Sequence, residues 1–309
     1  MNHVTSILSP VAALVLSPLL LGIINRTKAV CAGRCGQPLM QAYWELWKLL
    51  HKGAVTSHTT TWIFRAGPMI SLAATLTAAL LMPFANFDAP IHFAGDFVLF
   101  AYLLGLGRFF TVLAALDTGS AFEGMGASRE VFFSTMVEPA LLLSIAAIAR
   151  EAIGNSILVD LTAMHHHISG PLWANAGLIL IFIAVALFIV MLAECSRIPI
   201  DDPNTHLELT MIHEVMVLDH GGPDLAFILY GSAIKMWLLG TLIAGLLLPV
   251  TNWLLLDVFL SLTLLFLMAV LVGVVESVMA RLRMVRVPQL LAGATTLAIL
   301  ALVLEYRIP

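Results

Sequence analysis

Eight stretches of this 309-residue chain are long and apolar enough to cross a lipid bilayer. The hydrocarbon core takes about 17–25 apolar residues as an α-helix, which satisfies its own backbone hydrogen bonds. The stretches are residues 4–24, 66–87, 97–116, 131–149, 172–193, 225–248, 258–275 and 287–304. Only 11% of the residues are charged, against about 25% in soluble domains. The sequence therefore predicts an all-α membrane protein with eight transmembrane helices, in which residues 1–309 form a single integral membrane domain.

Lysine and arginine residues predict the orientation of the chain. Of the 15 such residues, 11 lie in residues 25–65 or in the loops that follow the third, fifth and seventh spans. The other loops and the C-terminal tail hold only Arg150 and Arg307. Because cationic loops stay on the cytoplasmic side of a membrane, we expect these four loops in the cytoplasm and both termini outside.

A short amphipathic segment, residues 39–52, lies in the first of these loops. Its polar residues recur every three or four positions, which places them on one stripe of a helix; they are Gln41, Glu45, Lys48 and Lys52. Trp44 and Trp47 face elsewhere, and indole side chains are common at membrane–water interfaces. The pattern predicts a cytoplasmic interfacial amphipathic helix in contact with lipid. A helix packed under a soluble partner is the alternative, and both can hold.

Several charged residues fall inside or directly after the predicted spans. Arg108 lies in the third span, Glu138 in the fourth and Lys235 in the sixth, and Glu276 closes the seventh. A charge at the bilayer centre costs about 2.5–3.5 kcal/mol on insertion scales, so such residues normally face a protein interior or water. Two interpretations stay open. The charges form a proton relay, or they are structural ion pairs such as Arg108 with a glutamate or Lys235 with Glu138.

Two glutamates at the start of the fourth span favour the relay. Glu130 and Glu138 are eight residues apart, which is just over two helical turns. They therefore lie on roughly one face, about 12 Å apart along the helix axis. Chains of intramembrane carboxylates are typical of proton paths.

An acidic segment, residues 193–220, follows the uncharged fifth span. Glu194 ends the span, Arg197 lies within reach of Glu194 if the helix continues, and Pro199 and Pro203 break regular helix. The further polar residues that we assign to this segment are Asp201, Asp202, His206, Glu208 and Glu214. Broken backbone beside a membrane is tolerated where it lines a cavity or is buried in protein. These acids therefore predict an aqueous pocket on the cytoplasmic side.

Other classes of function have less support in the sequence. The net charge of −4 argues against nucleic-acid binding. The three cysteines are too few and too scattered for a disulfide framework, and HEVMVLDH at 213–220 lacks the spacing of a zinc peptidase. The remaining metal-ligand candidates are His206 with Glu208 and His213, and the three histidines at 165–167; we interpret them as polar residues. We expect no metal, nucleotide or redox cofactor bound by this chain itself.

Three longer motifs resemble those of a known family. AECSRIPIDDPNTHLEL at 193–209 resembles the signature AExxRxPFDxPEAExEL of NADH dehydrogenase subunit 1, the membrane subunit at the hinge of respiratory complex I. LDTGSAFEGMGASREVFFSTMVEP at 116–139 and VVESVMARLRM at 274–284 are more similar to the homologous subunit of group 4 membrane-bound [NiFe] hydrogenases. With the basic first loop, the resemblance covers nearly the whole chain.

The resemblance implies a membrane-anchoring and energy-coupling subunit of a hydrogenase-like respiratory complex in the inner membrane of a prokaryote. Its partners would be soluble hydrogenase-like large and small Fe–S subunits on the cytoplasmic side, and antiporter-like membrane subunits. Fe–S clusters and a [NiFe]-type centre would lie in those partners. Electron transfer in the soluble arm would be coupled to proton or sodium translocation through buried carboxylates. The alternative is the quinone-site subunit of a complex I-type NADH dehydrogenase.

The resemblance also assigns roles residue by residue. The complex I signature carries over to Glu194, Arg197, Asp201, Glu208 and, in the next acidic element, Glu214. The hydrogenase-type motif carries over to Asp117, Arg129, Glu130 and Glu138. His206 stands where the signature has a carboxylate, and a histidine near pH 7 can carry or release a proton. Asp202 replaces a residue that is apolar in complex I, which argues against a bound quinone.

Two further alternatives remain open from the sequence. A free-standing proton-coupled transporter should contain internal repeats, and the sequence shows none. A passive anchor with structural charges only should tolerate the loss of its buried carboxylates.

Overall fold

The structure is a computed structural model, and it describes residues 6–153, 160–201, 211–251 and 253–307. Within these ranges the regular secondary structure is helical, apart from one isolated bridge between Phe84 and Phe87. The α-helices are α1 (Leu8–Cys31), α2 (Gln41–Leu50), α3 (Trp62–Leu81), α4 (Asp96–Asp117), α5 (Ala121–Ile153), α6 (Leu161–His167), α7 (Gly170–Glu194), α8 (Gly222–Leu247), α9 (Leu254–Val278) and α10 (Val287–Arg307). A short 3₁₀ helix covers Glu214–Val217.

Eight of the described helices are long and apolar enough to span a membrane, namely all of them except α2 and α6. This confirms the predicted all-α membrane fold. The side chains that point away from the bundle are largely apolar; on α9 they include Leu255, Phe259 and Leu267, each more than half exposed. An apolar outer surface suits hydrocarbon, because lipid replaces water as the solvent there.

The fourth spanning helix starts earlier than the apolar pattern predicts. The predicted span begins at residue 131, whereas α5 begins at Ala121. One side of the additional turns faces the loop between α7 and α8. Glu123 accepts a hydrogen bond from the backbone N–H of Asp219 at 3.3 Å, and Arg129 donates one to the carbonyl of Met211 at 2.9 Å. Polar residues can continue a helix when a neighbouring segment satisfies them.

The second spanning helix ends earlier than predicted, at Leu81 instead of residue 87. The apolar residues that follow are buried, but they form a turn. Pro83 lacks an N–H for a helix, and Ala85 adopts a left-handed conformation with φ of 52°. An apolar run alone does not separate a helix from a buried turn. The first spanning helix differs in the other direction and continues to Cys31, beyond the predicted end at 24.

Helix α8 lies at the centre of the bundle. It packs against α1, α3, α7 and α9, and its Trp237 is 1% exposed. Helix α10 lies against α5 and α7, and α9 lies against α1. Helices α3 and α4 pack most closely, because Gly67 leaves room where a Cβ would approach that of Ala114 to 2.7 Å.

The four basic loops meet at one end of the bundle. The hydroxyl of Thr59 donates a hydrogen bond to the carbonyl of Thr118 at 3.3 Å, which joins the first two of these loops. Leu282 donates to the carbonyl of Pro199 at 2.9 Å, which joins the other two. We call this the basic end. That the basic end faces the cytoplasm stays a prediction from the positive-inside rule.

Helix α2 is a separate short helix at the basic end, where the amphipathic pattern at 39–52 predicts one. It packs on α8 and α1, and the hydroxyl of Tyr43 donates to the carbonyl of Val15. Trp44 and Trp47 are 59% and 68% exposed on its outer side. The helix is therefore confirmed, while its position at a membrane interface stays a prediction.

Candidate functional site

A guanidinium inside the bundle gathers most of the charged residues that the sequence places in spans. Arg108 on α4 contacts three carboxylates: Nη1 lies 3.2 Å from Glu138, Nε lies 3.5 Å from Glu130, and Nη2 donates to Glu194. The Nζ atom of Lys235 lies 3.6 Å from the second oxygen of Glu194. We call these five residues the Arg108 cluster. The structure shows the expected contacts of Arg108 with glutamates, whereas Lys235 contacts Glu194 and Glu138 contacts Arg108.

Four helices bring the Arg108 cluster together. Glu130 and Glu138 both reach Arg108 because their spacing places them on one face of α5. Glu194 is the last residue of α7, and Lys235 lies midway along α8. A cavity of about 20 Å³ beside Arg108, Glu130 and Glu194 offers room for about one water molecule. The arrangement can therefore hold and exchange protons over short distances.

The members of the cluster differ in burial. The side chain of Glu194 is 2% exposed and that of Arg108 is 9% exposed, whereas that of Glu138 is 54% exposed. The cluster contains three carboxylates and two cations, so its formal charge is −1 when every group is ionised. Buried charges are stable only when they are paired. The cluster therefore has one carboxylate in excess, and binding a proton to a carboxylate would remove that excess charge.

A second group of ion pairs lies closer to the basic end. Glu276 on α9 contacts Lys28 of α1 at 2.8 Å and Arg197 at 3.3 Å. The expectation that Arg197 would pair with Glu194 on a continuing helix is wrong. Helix α7 ends at Glu194, Ser196 turns the chain with a φ of 51°, and Arg197 consequently points to α9.

Asp201 closes the described part of the acidic segment. One of its oxygens lies 2.8 Å from Arg281, and the other accepts hydrogen bonds from the backbone N–H groups of Ile212 and His213 at 3.2 and 2.9 Å. Burial, together with the nearby charge of Lys235, lowers the pKa of His213 to about 4. The imidazole is therefore neutral at pH 7. Asp201 links residues 211–213 to the loop after α9.

The remaining predicted site residues fall into three groups. Asp117 accepts hydrogen bonds from the backbone N–H and the hydroxyl of Thr61 at 2.6 and 2.8 Å, and it thereby fixes the start of α3. Arg129 holds the carbonyl of Met211, and Glu214 begins the 3₁₀ helix. Neither Asp117 nor Arg129 contacts the Arg108 cluster directly in these bonds. Asp202, His206 and Glu208 lie outside the described residues.

Sequence reasoning missed several polar residues of this region. Glu123 is 1% exposed and binds the backbone of Asp219. His220 is 5% exposed and stacks on Phe64 with ring centroids 3.9 Å apart; burial lowers its pKa to about 4. In the sequence Lys28 counts only as one of the cations that predict the orientation of the chain, and its pairing with Glu276 is not predicted. Their only signal in the sequence is a polar residue near an apolar run, which does not reveal the partner.

Comparisons with known proteins agree with the resemblance in the motifs. The sequence model of the NADH dehydrogenase family matches residues 3–306. Formate hydrogenlyase subunit 4 of Escherichia coli (strain K12) is 29% identical over 96% of this chain and 98% of its own length. Hydrogenase-4 component C of the same strain is 32% identical over 77% of this chain and 73% of its own length.

The fold has a close counterpart among solved structures. A chain of the membrane-bound sulfane sulfur reductase, an archaeal respiratory membrane complex, superposes with a TM-score of 0.82 over 98% of both chains. The two sequences are 19% identical. At that identity the likeness concerns the arrangement of helices.

Proposed function

The chain belongs to the NADH dehydrogenase family, and from this premise we propose that it is the membrane-anchoring and energy-coupling subunit of a hydrogenase-like respiratory complex. In this proposal a soluble arm with Fe–S clusters and a [NiFe]-type centre docks on the basic end. Antiporter-like subunits lie beside the chain in the membrane. The proposal is supported by relatives that are named as parts of formate hydrogenlyase and hydrogenase-4 and that match most of the chain.

The observation that carries the coupling role is the Arg108 cluster. Here Glu130, Glu138 and Glu194 converge on Arg108, and Lys235 adds one further cation. Intramembrane carboxylates next to cations are the usual components of proton relays. A proton bound by this cluster would neutralise its excess charge.

The loops at the basic end offer a route by which a redox change could reach the cluster. Glu194 is followed within three residues by Arg197, which is held by Glu276. Asp201 lies on the same loop and holds residues 212–213. A subunit that docks on this loop and shifts it would move the charges next to Glu194. The electrostatic effect would be large because the carboxylate is almost fully buried.

The proposal is tested by Glu138→Gln in the purified complex. Glutamine keeps the size and hydrogen bonding of the side chain but cannot exchange a proton. We expect a loss of ion translocation per assembled complex, measured in proteoliposomes with a pH-sensitive dye or with radioactive sodium. Electron transfer in the soluble arm is followed separately with an artificial electron acceptor.

The matched control is Glu305→Gln. Glu305 also pairs with an arginine, Arg150, at 3.3 Å, but it lies at the opposite end of the bundle from the basic loops. This control should translocate ions at the wild-type rate. Normal translocation by Glu138→Gln at normal assembly would contradict the relay. Failed assembly of Glu138→Gln, with normal assembly of Glu138→Asp, would show that the charge is needed for assembly.

A further inference from the structure

A wide groove lies on the outer surface of the bundle, between α4 and α5. Its volume is about 610 Å³. Its walls are mainly apolar and include Leu99, Tyr102, Leu106, Phe109, Val131 and Leu142. Tyr102 is 71% exposed and Phe109 is 57% exposed. The groove runs along parts of both helices that belong to the membrane spans.

A carboxylate opens into this apolar groove. Glu138 lines it, and its side chain is 54% exposed although it lies near the middle of the span Ala121–Glu151. The hydroxyls of the neighbouring residues on the same wall donate to backbone carbonyls and not to Glu138. The hydroxyl of Ser134 donates to the carbonyl of Val131 at 2.9 Å, and that of Thr135 donates to the carbonyl of Phe132 at 2.7 Å. Arg108, which also lines the groove, is the bonding partner that the structure shows for this carboxylate, and hydrocarbon would supply no further one.

The charge of the cluster indicates what covers the groove. Three carboxylates face two cations, and the most exposed of the three is Glu138. A lipid tail or a quinone tail would fit the apolar walls but would supply neither charge nor a hydrogen bond. Polar side chains inside membranes face other protein or water and pair with one another. A cationic side chain on a helix would satisfy both the walls and the carboxylate.

We propose that the groove is the docking site for a transmembrane helix of a partner membrane subunit, and that this helix presents a lysine, arginine or histidine to Glu138. The inference rests on the proposed function, since it names the partner side of the same cluster. Docking would bury the apolar walls, and a lysine, arginine or protonated histidine would bring the Arg108 cluster to neutrality. It would also continue the chain of ionisable groups from this subunit into the next.

Site-specific photo-crosslinking in native membranes that contain the whole complex tests the docking. In separate variants, p-benzoylphenylalanine replaces Tyr102 in the groove and Phe259 on α9, which is 66% exposed and serves as the matched aromatic control. We expect Tyr102 to cross-link to a membrane-spanning segment that carries a Lys, Arg or His, located by mass spectrometry. The control reports the reaction of a comparably exposed side chain away from the groove.

A second experiment tests the docking by filling the groove with a bulky side chain. Thr135→Trp places a bulky side chain on its wall, and Thr263→Trp is the control, because Thr263 is also exposed and donates to a carbonyl of its own helix at 2.7 Å. We expect Thr135→Trp to cause loss of the cross-linked subunit from the purified complex, and Thr263→Trp to retain it. Retention in both variants would overturn the proposal.

Other cross-linking results would also overturn it. Adducts from Tyr102 with lipid or quinone only would assign the groove to a hydrocarbon tail, and a partner segment without a basic residue would refute the charge pairing. These failures are distinguishable from failure of the proposed function. Lipid-only adducts together with lost translocation in Glu138→Gln would remove the docking site and leave the coupling role. A cross-link from Tyr102 to a partner segment, together with normal translocation in Glu138→Gln, would support the docking site and contradict the coupling role.

Discussion

Replacing Arg108 by methionine tests whether this guanidinium holds the cluster together. Methionine keeps an unbranched apolar stem but removes the charge and the donors. Glu130, Glu138 and Glu194 would then share one cation, Lys235, which lies 3.6 Å from Glu194. Removing one partner of a buried ion pair costs about 3–5 kcal/mol. We expect a loss of that size, because the side chain of Glu194 is only 2% exposed.

Two other substitutions calibrate this value. Lys235→Met removes one long contact and leaves Glu194 bonded to Arg108, so we expect a smaller loss than for Arg108→Met. Arg150→Met removes an arginine that is 33% exposed and contacts a single glutamate at 3.3 Å. A partly exposed pair of this kind contributes less than about 1 kcal/mol. The expected order of destabilisation is therefore Arg108 first, with Lys235 and Arg150 well below it.

A double substitution separates charge balance from general disruption. Arg108→Met with Glu194→Gln leaves two carboxylates and one cation, which restores the formal charge of −1. We expect this double variant to be more stable than Arg108→Met alone, because no fully buried carboxylate is left without its strongest partner. Glu194→Gln alone completes the cycle.

The assay is thermal unfolding of the purified full chain in detergent at pH 7. Each kcal/mol corresponds to roughly 2 °C for a protein of this size. Arg108→Met should therefore lower the midpoint by about 6–10 °C, and Arg150→Met by about 2 °C or less. Equal shifts for these two variants, or no rescue in the double variant, would refute the assignment of Arg108 as the centre of the cluster.

Three further predictions concern other parts of the chain. In intact cells, the exposed Cys31 should react with a membrane-permeant maleimide and not with an impermeant one. Cys195 is buried, and burial raises the pKa of its thiol to about 11, so it should react only after denaturation. Labelling of Cys31 by the impermeant reagent would mean that the basic end faces outward. Trp47→Asp should loosen docking of the soluble arm through lost apolar contact, measured as retention of soluble subunits, whereas Trp253→Asp at the opposite end, 76% exposed, should not. The pKa of His220 is about 4 in the folded chain and 6.5 in the unfolded chain. As the pH drops from 6.5 towards 4, the unfolded chain binds the proton first, so the stability of the folded chain falls. His220→Phe should therefore reduce the fall in unfolding midpoint between pH 7 and pH 5, and an unchanged fall would contradict a buried neutral His220.

The number and kind of spanning helices followed from the sequence alone. Hydrocarbon excludes unsatisfied backbone groups, so an apolar stretch of sufficient length has few alternatives to a helix. The bounds of α4 and α7 lie within two residues of the predicted spans. The apolar pattern did not predict the helix bounds where a helix end is surrounded by protein instead of lipid. Residues 121–130 include three charged side chains yet are helical, and residues 82–87 are mostly apolar yet form a buried turn.

The sequence also identified ionisable residues that need partners by a simple cost argument, because charges within apolar spans are seldom left unpaired. It did not determine which partners. Arg108, Glu130, Glu138 and Glu194 come from three separate helices, and their convergence depends on how those helices pack. Arg197 shows the limit most clearly. Its nearest acid in the sequence is Glu194, but one left-handed residue turns it to Glu276, 79 positions away. Local spacing determines which face of a helix a charge occupies, whereas only tertiary packing determines what lies opposite that face.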